Sequence, residues 1–181
     1  MNRFLGDWAL RFLLISLAVS PLREIGGWPV LMRFRRMLGL FAFTYVVLHL
    51  SSWIGVDQFF AWAHIWADIV KRPYITIGMG AFLLLIPLAA TSTAGMIKRL
   101  GAKRWKRLHM LVYPAAALGC AHFFMMVKAD IREPLIYAGI LVALLGWRAA
   151  TRRWLAISRP SPSSRGSVAP IPPPVSSAPP R

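Results

Sequence analysis

Apolar residues fill five long stretches of the chain, 8–22, 37–55, 74–93, 108–127 and 134–150, and most of the charge lies in the connectors between them. About 20 helical residues cross a hydrocarbon core roughly 30 Å thick, and each stretch approaches that length, the first and last being short. The pattern predicts an all-α integral membrane protein built as a five-helix transmembrane bundle. Residues 56–72, with Trp62 and Trp66 four apart, predict a short amphipathic helix at a membrane interface, where tryptophan is favoured. The glycines at 78 and 80 and at 139 and 146 read as helix-packing positions. No long internal repeat is visible.

Composition agrees with the pattern. At 57% hydrophobic and 15% charged, the chain is too apolar for an ordinary soluble domain. A formal charge of +16 on a single basic stripe would suggest nucleic acid, but the basic residues collect in alternate connectors, so nucleic acid is not an expected partner. Arg23, Arg33, Arg35 and Arg36 stand against Glu24 alone; Lys98, Arg99, Lys103, Arg104, Lys106 and Arg107 face no acid; Arg148, Arg152 and Arg153 follow the fifth stretch. The other two connectors are balanced, Asp57 and Asp68 with Lys71 and Arg72, and Asp130 and Glu133 with Lys128 and Arg132. By the positive-inside rule the basic connectors and the C-terminus are cytoplasmic and the N-terminus is outside. Asp7 and the lack of a small-x-small cleavage site make the start a retained helix and not a signal peptide. From residue 158 the chain holds eight prolines and seven serines in 24 residues, too little apolar surface for a core. The expected organisation is a membrane domain over 1–155 and a disordered, Pro/Ser-rich cytoplasmic tail over 156–181.

Cys120 is the only cysteine, which excludes a disulfide framework, a zinc cluster and a Cys-x-x-Cys-His haem attachment site. Histidines inside hydrocarbon are costly and therefore functional candidates. At about 1.5 Å per residue, His49, 13 residues past Arg36, lies roughly 20 Å from the cytoplasmic collar, and His122, 15 residues past Arg107, lies roughly 22 Å from it. Two imidazoles at matching depth on different helices suit bis-histidine ligation of a haem iron. Interhelical hydrogen bonding is the other role open to them. His109 sits near the inner face; an ideal helix would point it about 140° away from His122 unless Pro114 alters the path. His109 suits a second haem or an alternative ligation, although no other histidine lies at its depth. His64 falls in the outer connector and reads as interfacial.

The segments RRMLGL with VLHL, KRPYITIG, TSTAGMIKRLGAKRWKRLH and EPLIYAGI resemble the MsrQ (YedZ) family, haem-binding membrane subunits of the periplasmic methionine sulfoxide reductase system and relatives of the ferric reductase and NADPH oxidase transmembrane domains. The similarity runs from about residue 6 to about residue 150. It implies a bacterial inner-membrane, multi-pass cytochrome with one or two b-type haems, carrying electrons from the quinone pool or a cytoplasmic flavin reductase. The partner it implies is a periplasmic molybdopterin methionine sulfoxide reductase of the MsrP kind, which repairs oxidised proteins. The family's haem-ligand histidines match His49, His109 and His122. FMN has been associated with the family, but no Gly-rich phosphate loop supports it here. Family members usually begin with one further transmembrane helix, so either the true start lies upstream or this member works with five.

On this reading the chain performs electron transfer and no bond-breaking chemistry, and has no catalytic residue of its own. Arg35, Arg36, Arg104 and Trp105, near the cytoplasmic side, are candidates to meet a haem propionate, a quinone headgroup or a flavin phosphate; each arginine equally suits anchoring to lipid phosphate. Two other classes compete: a stand-alone transmembrane ferric or oxygen reductase, and a non-redox transporter or scaffold. Against the first stands the lack of room for a flavin and nicotinamide module, and against the second the lack of an intramembrane carboxylate in the apolar stretches.

Overall fold

The structure, a computed structural model, describes residues 2–127 and 130–157. The described residues are helical, without strands: α1 (Asn2–Gly26), α2 (Leu31–Ser52) extended by a π-helical turn (Trp53–Asp57), α3 (Trp62–Lys71), α4 (Pro73–Ala90), α5 (Ala94–Leu100), α6 (Ala102–Leu108), a 3-10 turn (His109–Leu111), α7 (Val112–Met126) and α8 (Arg132–Ile157). Five segments among them are long and apolar enough to cross a membrane: Asn2–Gly26, Leu31–Asp57, Pro73–Ala90, Ala102–Met126 and Arg132–Thr151. The chain is an all-α, multi-pass membrane protein. Residues up to Arg148 form one compact unit; the second, from Ala149, is described only to Ile157. Most of the expected tail therefore lies outside the described residues.

The first and last spans are longer than their apolar stretches suggest, because charged residues in them turn to protein groups. Arg11 donates from Nε to the Tyr137 hydroxyl at 2.6 Å and lies over the Trp8 ring, and Arg3 pairs with Glu133 at 3.6 Å. Asp7 also lies within the first span, which corrects the expectation of a bundle without an intramembrane carboxylate.

α1 is the centre of the bundle. Leu10, Leu13, Leu14 and Leu17 line one face at helical spacing and meet Ala42 of α2, Leu85 and Leu88 of α4, Ala115, Ala116 and Cys120 of α7, and Leu141 of α8. With no hydrophobic force between helices in lipid, association depends on close van der Waals fit, which the almost fully buried Ala42, Ala115 and Ala116 permit. α1 packs chiefly on α2 and α4 chiefly on α7, giving two principal helix pairs. Outward-facing Leu48, Leu83, Ile136 and Val142 remain exposed, as a lipid-facing surface requires. In the expected interfacial segment, α3 buries Ile65 and exposes Trp62 and Trp66.

The long Thr-Ser-Thr motif builds the connection from α4 to α7. The Thr91 and Ser92 hydroxyls donate to the Pro87 and Leu88 carbonyls, both at 2.6 Å, satisfying acceptors at the end of α4. Thr93 caps α5 by accepting from the Met96 amide at 3.3 Å, and Gly101, at φ +74°, makes the corner between α5 and α6. Trp105 ties the corner back by donating from its indole to the Thr91 carbonyl at 3.0 Å.

Candidate functional site

Each principal helix pair holds one histidine in the same way. His49 on α2 bonds through Nδ1 to the Asn2 carbonyl of α1 at 3.0 Å, and a Cβ added to Gly6 would lie 3.3 Å from its ring. His122 on α7 bonds through Nδ1 to the Tyr74 carbonyl of α4 at 2.7 Å, and a Cβ on Gly78 would lie 2.8 Å from that Nδ1. In both pairs the glycine stands four residues after the accepting carbonyl, so its bare Cα opens a notch that admits the ring. Gly78 is thus a packing position, as expected, but what it packs is an imidazole.

A carbonyl only accepts, so each Nδ1 carries the proton and each Nε2 is left with the lone pair. This is the arrangement usual for metal-bound histidine, where a bond from the far nitrogen fixes tautomer and ring orientation. The two ring centres lie 6.3 Å apart with their planes at 73°. Imidazoles on opposite sides of one metal ion, at about 2 Å per bond, have ring centres roughly 6 Å apart.

Both rings line one cavity of about 330 Å³. Its walls are mainly apolar, including Leu10, Leu13, Val46, Phe82 and Leu85. Arg3, Asp57 and Arg72 line the end where α1 and α4 begin and α2 finishes, and Asp7 follows Gly6. Among the described residues no group of three or more His, Cys, Asp or Glu is placed to hold a metal ion. Two imidazoles over an apolar cavity therefore suit a metal that brings its other ligands with it, as haem does.

The remaining expected site residues lie elsewhere and do not line this cavity. His109, in the 3-10 turn before Pro114, bonds through Nδ1 to the Trp105 carbonyl at 3.2 Å and stacks on the Trp105 ring with centres 3.9 Å apart. The break in the helix is local: Pro114 offers no amide to the Met110 carbonyl. The Arg35 carbonyl accepts from the Ser16 hydroxyl at 3.0 Å. Arg36 and Arg104 are exposed, as is His64 on α3.

Residues 5–120 match the family described as ferric reductase like transmembrane component. A protein-methionine-sulfoxide reductase heme-binding subunit MsrQ of Rhodospirillum rubrum is 65% identical over 147 residues, covering 81% of this chain and 71% of the relative. Subunits of the same name from Caulobacter vibrioides and Xanthomonas oryzae pv. oryzae are 55% and 53% identical, covering 81% and 91% of this chain and 70% and 73% of theirs. The chain belongs to the MsrQ family. No solved structure matches it. In this MsrQ family member the sequence did not mark Gly6, Arg3, Asp57 or Arg72 as site residues, and it marked Gly78 only as a helix-packing position. The notch carbonyls lie 47 and 48 residues from their histidines, and no local pattern marks such a pairing.

Proposed function

We propose that the chain is a haem-binding membrane subunit in which His49 and His122, through their Nε2 atoms, would together hold the iron of one b-type haem. The observation that carries this is the shared state of the two rings: each Nδ1 is committed to a backbone carbonyl, and both rings meet over one cavity. Bound there, haem supplies one-electron chemistry. The protein's part is to fix the ring positions and tautomers and to surround the site with apolar side chains that limit water.

The function proposed with this site is electron transfer across a bacterial inner membrane to a periplasmic molybdopterin methionine sulfoxide reductase, with the C-terminus cytoplasmic. The donor is the quinone pool or a cytoplasmic flavin reductase, approaching the basic end near Arg35, Arg36 and Arg104. His109 and FMN belong to the same proposal as a further ligand and cofactor on that side. The MsrQ relatives' printed name, as heme-binding subunits of a protein-methionine-sulfoxide reductase, supports this reading.

Stopped-flow reoxidation of the dithionite-reduced, purified chain tests it. With the partner reductase and an oxidised, methionine-sulfoxide-containing protein added together, the absorbance of a reduced b-type haem should decay in proportion to the sulfoxide supplied; with the partner alone it should fall only by the one or two electrons per molecule that the partner takes up, and with the oxidised protein alone it should persist. Equally fast reoxidation by oxygen or Fe(III) without the partner would overturn it in favour of a stand-alone reductase.

A further inference from the structure

The end of the cavity where α1 and α4 begin carries chemistry that the histidines do not explain. Arg72 sits between α3 and α4 and lines the cavity. Its Nε pairs with Asp68 Oδ1 at 3.1 Å, and its Nη1 donates to the Tyr74 hydroxyl at 3.1 Å. These contacts occupy two of the guanidinium's five N–H donors and hold the group in a set direction. Tyr74 also supplies the carbonyl that fixes His122, so Arg72 and the His122 ring are referenced to the same residue.

Arg72 precedes Gly78 by six residues, about 9 Å of helix rise. On α1, Arg3 precedes Gly6 by three, about 4.5 Å. Both arginines line the cavity at the end where α1 and α4 begin: Arg72 stands two residues before Tyr74, whose carbonyl holds His122, and Arg3 directly follows Asn2, whose carbonyl holds His49. Asp57, held by Asn2 Nδ2 at 2.7 Å, shares that end, and Arg3 is engaged by Glu133. Both arginines are ion-paired, Arg72 with the closer partner; what sets Arg72 apart is that Tyr74, the residue that fixes His122, also holds its guanidinium.

We infer that Arg72 binds a propionate carboxylate of the haem, so that the cavity recognises an apolar disc with an acidic edge directed to the outer end. This rests on the haem reading above and adds to it the orientation of the ligand. An arginine presents planar paired donors to a carboxylate, and a charge-assisted bond is about twice as strong as a neutral one.

The test compares haem with its dimethyl ester, in which both carboxylates are masked. Full-length chain from haem-deficient cells, in detergent, is titrated with each and followed by the low-spin absorption of the ferric complex. Wild type should favour free haem over the ester by roughly tenfold or more. Arg72→Gln should hold the two within a factor of about two, and Arg72→Lys should restore part of the preference. Ester binding equal in wild type and Arg72→Gln would show that the variant is folded and its histidine pair intact. Discrimination by Arg72→Gln as strong as that of wild type overturns the assignment while leaving the haem site standing. Failure of wild type to bind either form overturns the haem reading and this inference with it.

Discussion

Gly78 decides where the His122 ring rests, because a methyl group there would stand 2.8 Å from Nδ1 and sever the bond to the Tyr74 carbonyl. Gly6 is less demanding, since its nearest approach to His49 is 3.3 Å and a small shift of the ring would relieve it. Gly78→Ala should therefore weaken haem retention by roughly ten- to a hundredfold, the range typical of lost outer-shell support, and Gly6→Ala by clearly less. Pyridine haemochrome assay of the purified variants checks the order; equal retention in both would remove the notch from the explanation. His49 and His122 were legible in the sequence because an intramembrane imidazole is conspicuous and depth can be counted from an arginine collar. The notches were not, because a glycine in an apolar helix looks the same whether it admits a neighbouring helix or a ring.

Trp105, near the start of the fourth span, organises the connection that leads into it from α4. Its ring stacks on His109 and its indole reaches the Thr91 carbonyl, closing the turn formed by α5 and α6. Trp105→Ala should cost the turn about 1–3 kcal/mol, raising amide hydrogen exchange over residues 94–108 by roughly tenfold or more. Because Trp105 does not line the cavity, the absorption of haem held by His49 and His122 should stay unchanged. Loss of that haem without faster exchange would assign Trp105 to the cofactor instead. The five spans were legible as apolar stretches, but not their full extents: Arg3 and Asp7 fall outside the first stretch, 8–22, and only the facing Glu133 and the cavity show what α1 sets them against. An ideal-helix count likewise does not apply to the direction of His109, because a 3-10 turn, His109–Leu111, interrupts the α-helix there.

Across the compact unit, the two principal helix pairs, α1 with α2 and α4 with α7, each contribute one histidine to a shared cavity. That correspondence is spatial and leaves no visible sequence repeat. The proposed orientation places α3 outside and the α5–α6 turn in the cytoplasm. With Cys120 replaced by serine, Ala63→Cys on exposed α3 should react with a membrane-impermeant maleimide once the outer membrane is opened, whereas Gly95→Cys, with open space around its Cβ, should react only after the inner membrane is breached. The reverse pattern would invert the topology. The central claim, that His49 and His122 share one iron, is tested most directly by the low-spin ferric EPR spectrum of the purified chain beside those of His49→Ala, His122→Ala and His64→Ala. Shared ligation predicts that the same bis-imidazole signal disappears in the first two variants and survives in the third. Survival of that signal in either of the first two, or the loss of a different signal in each, would contradict it.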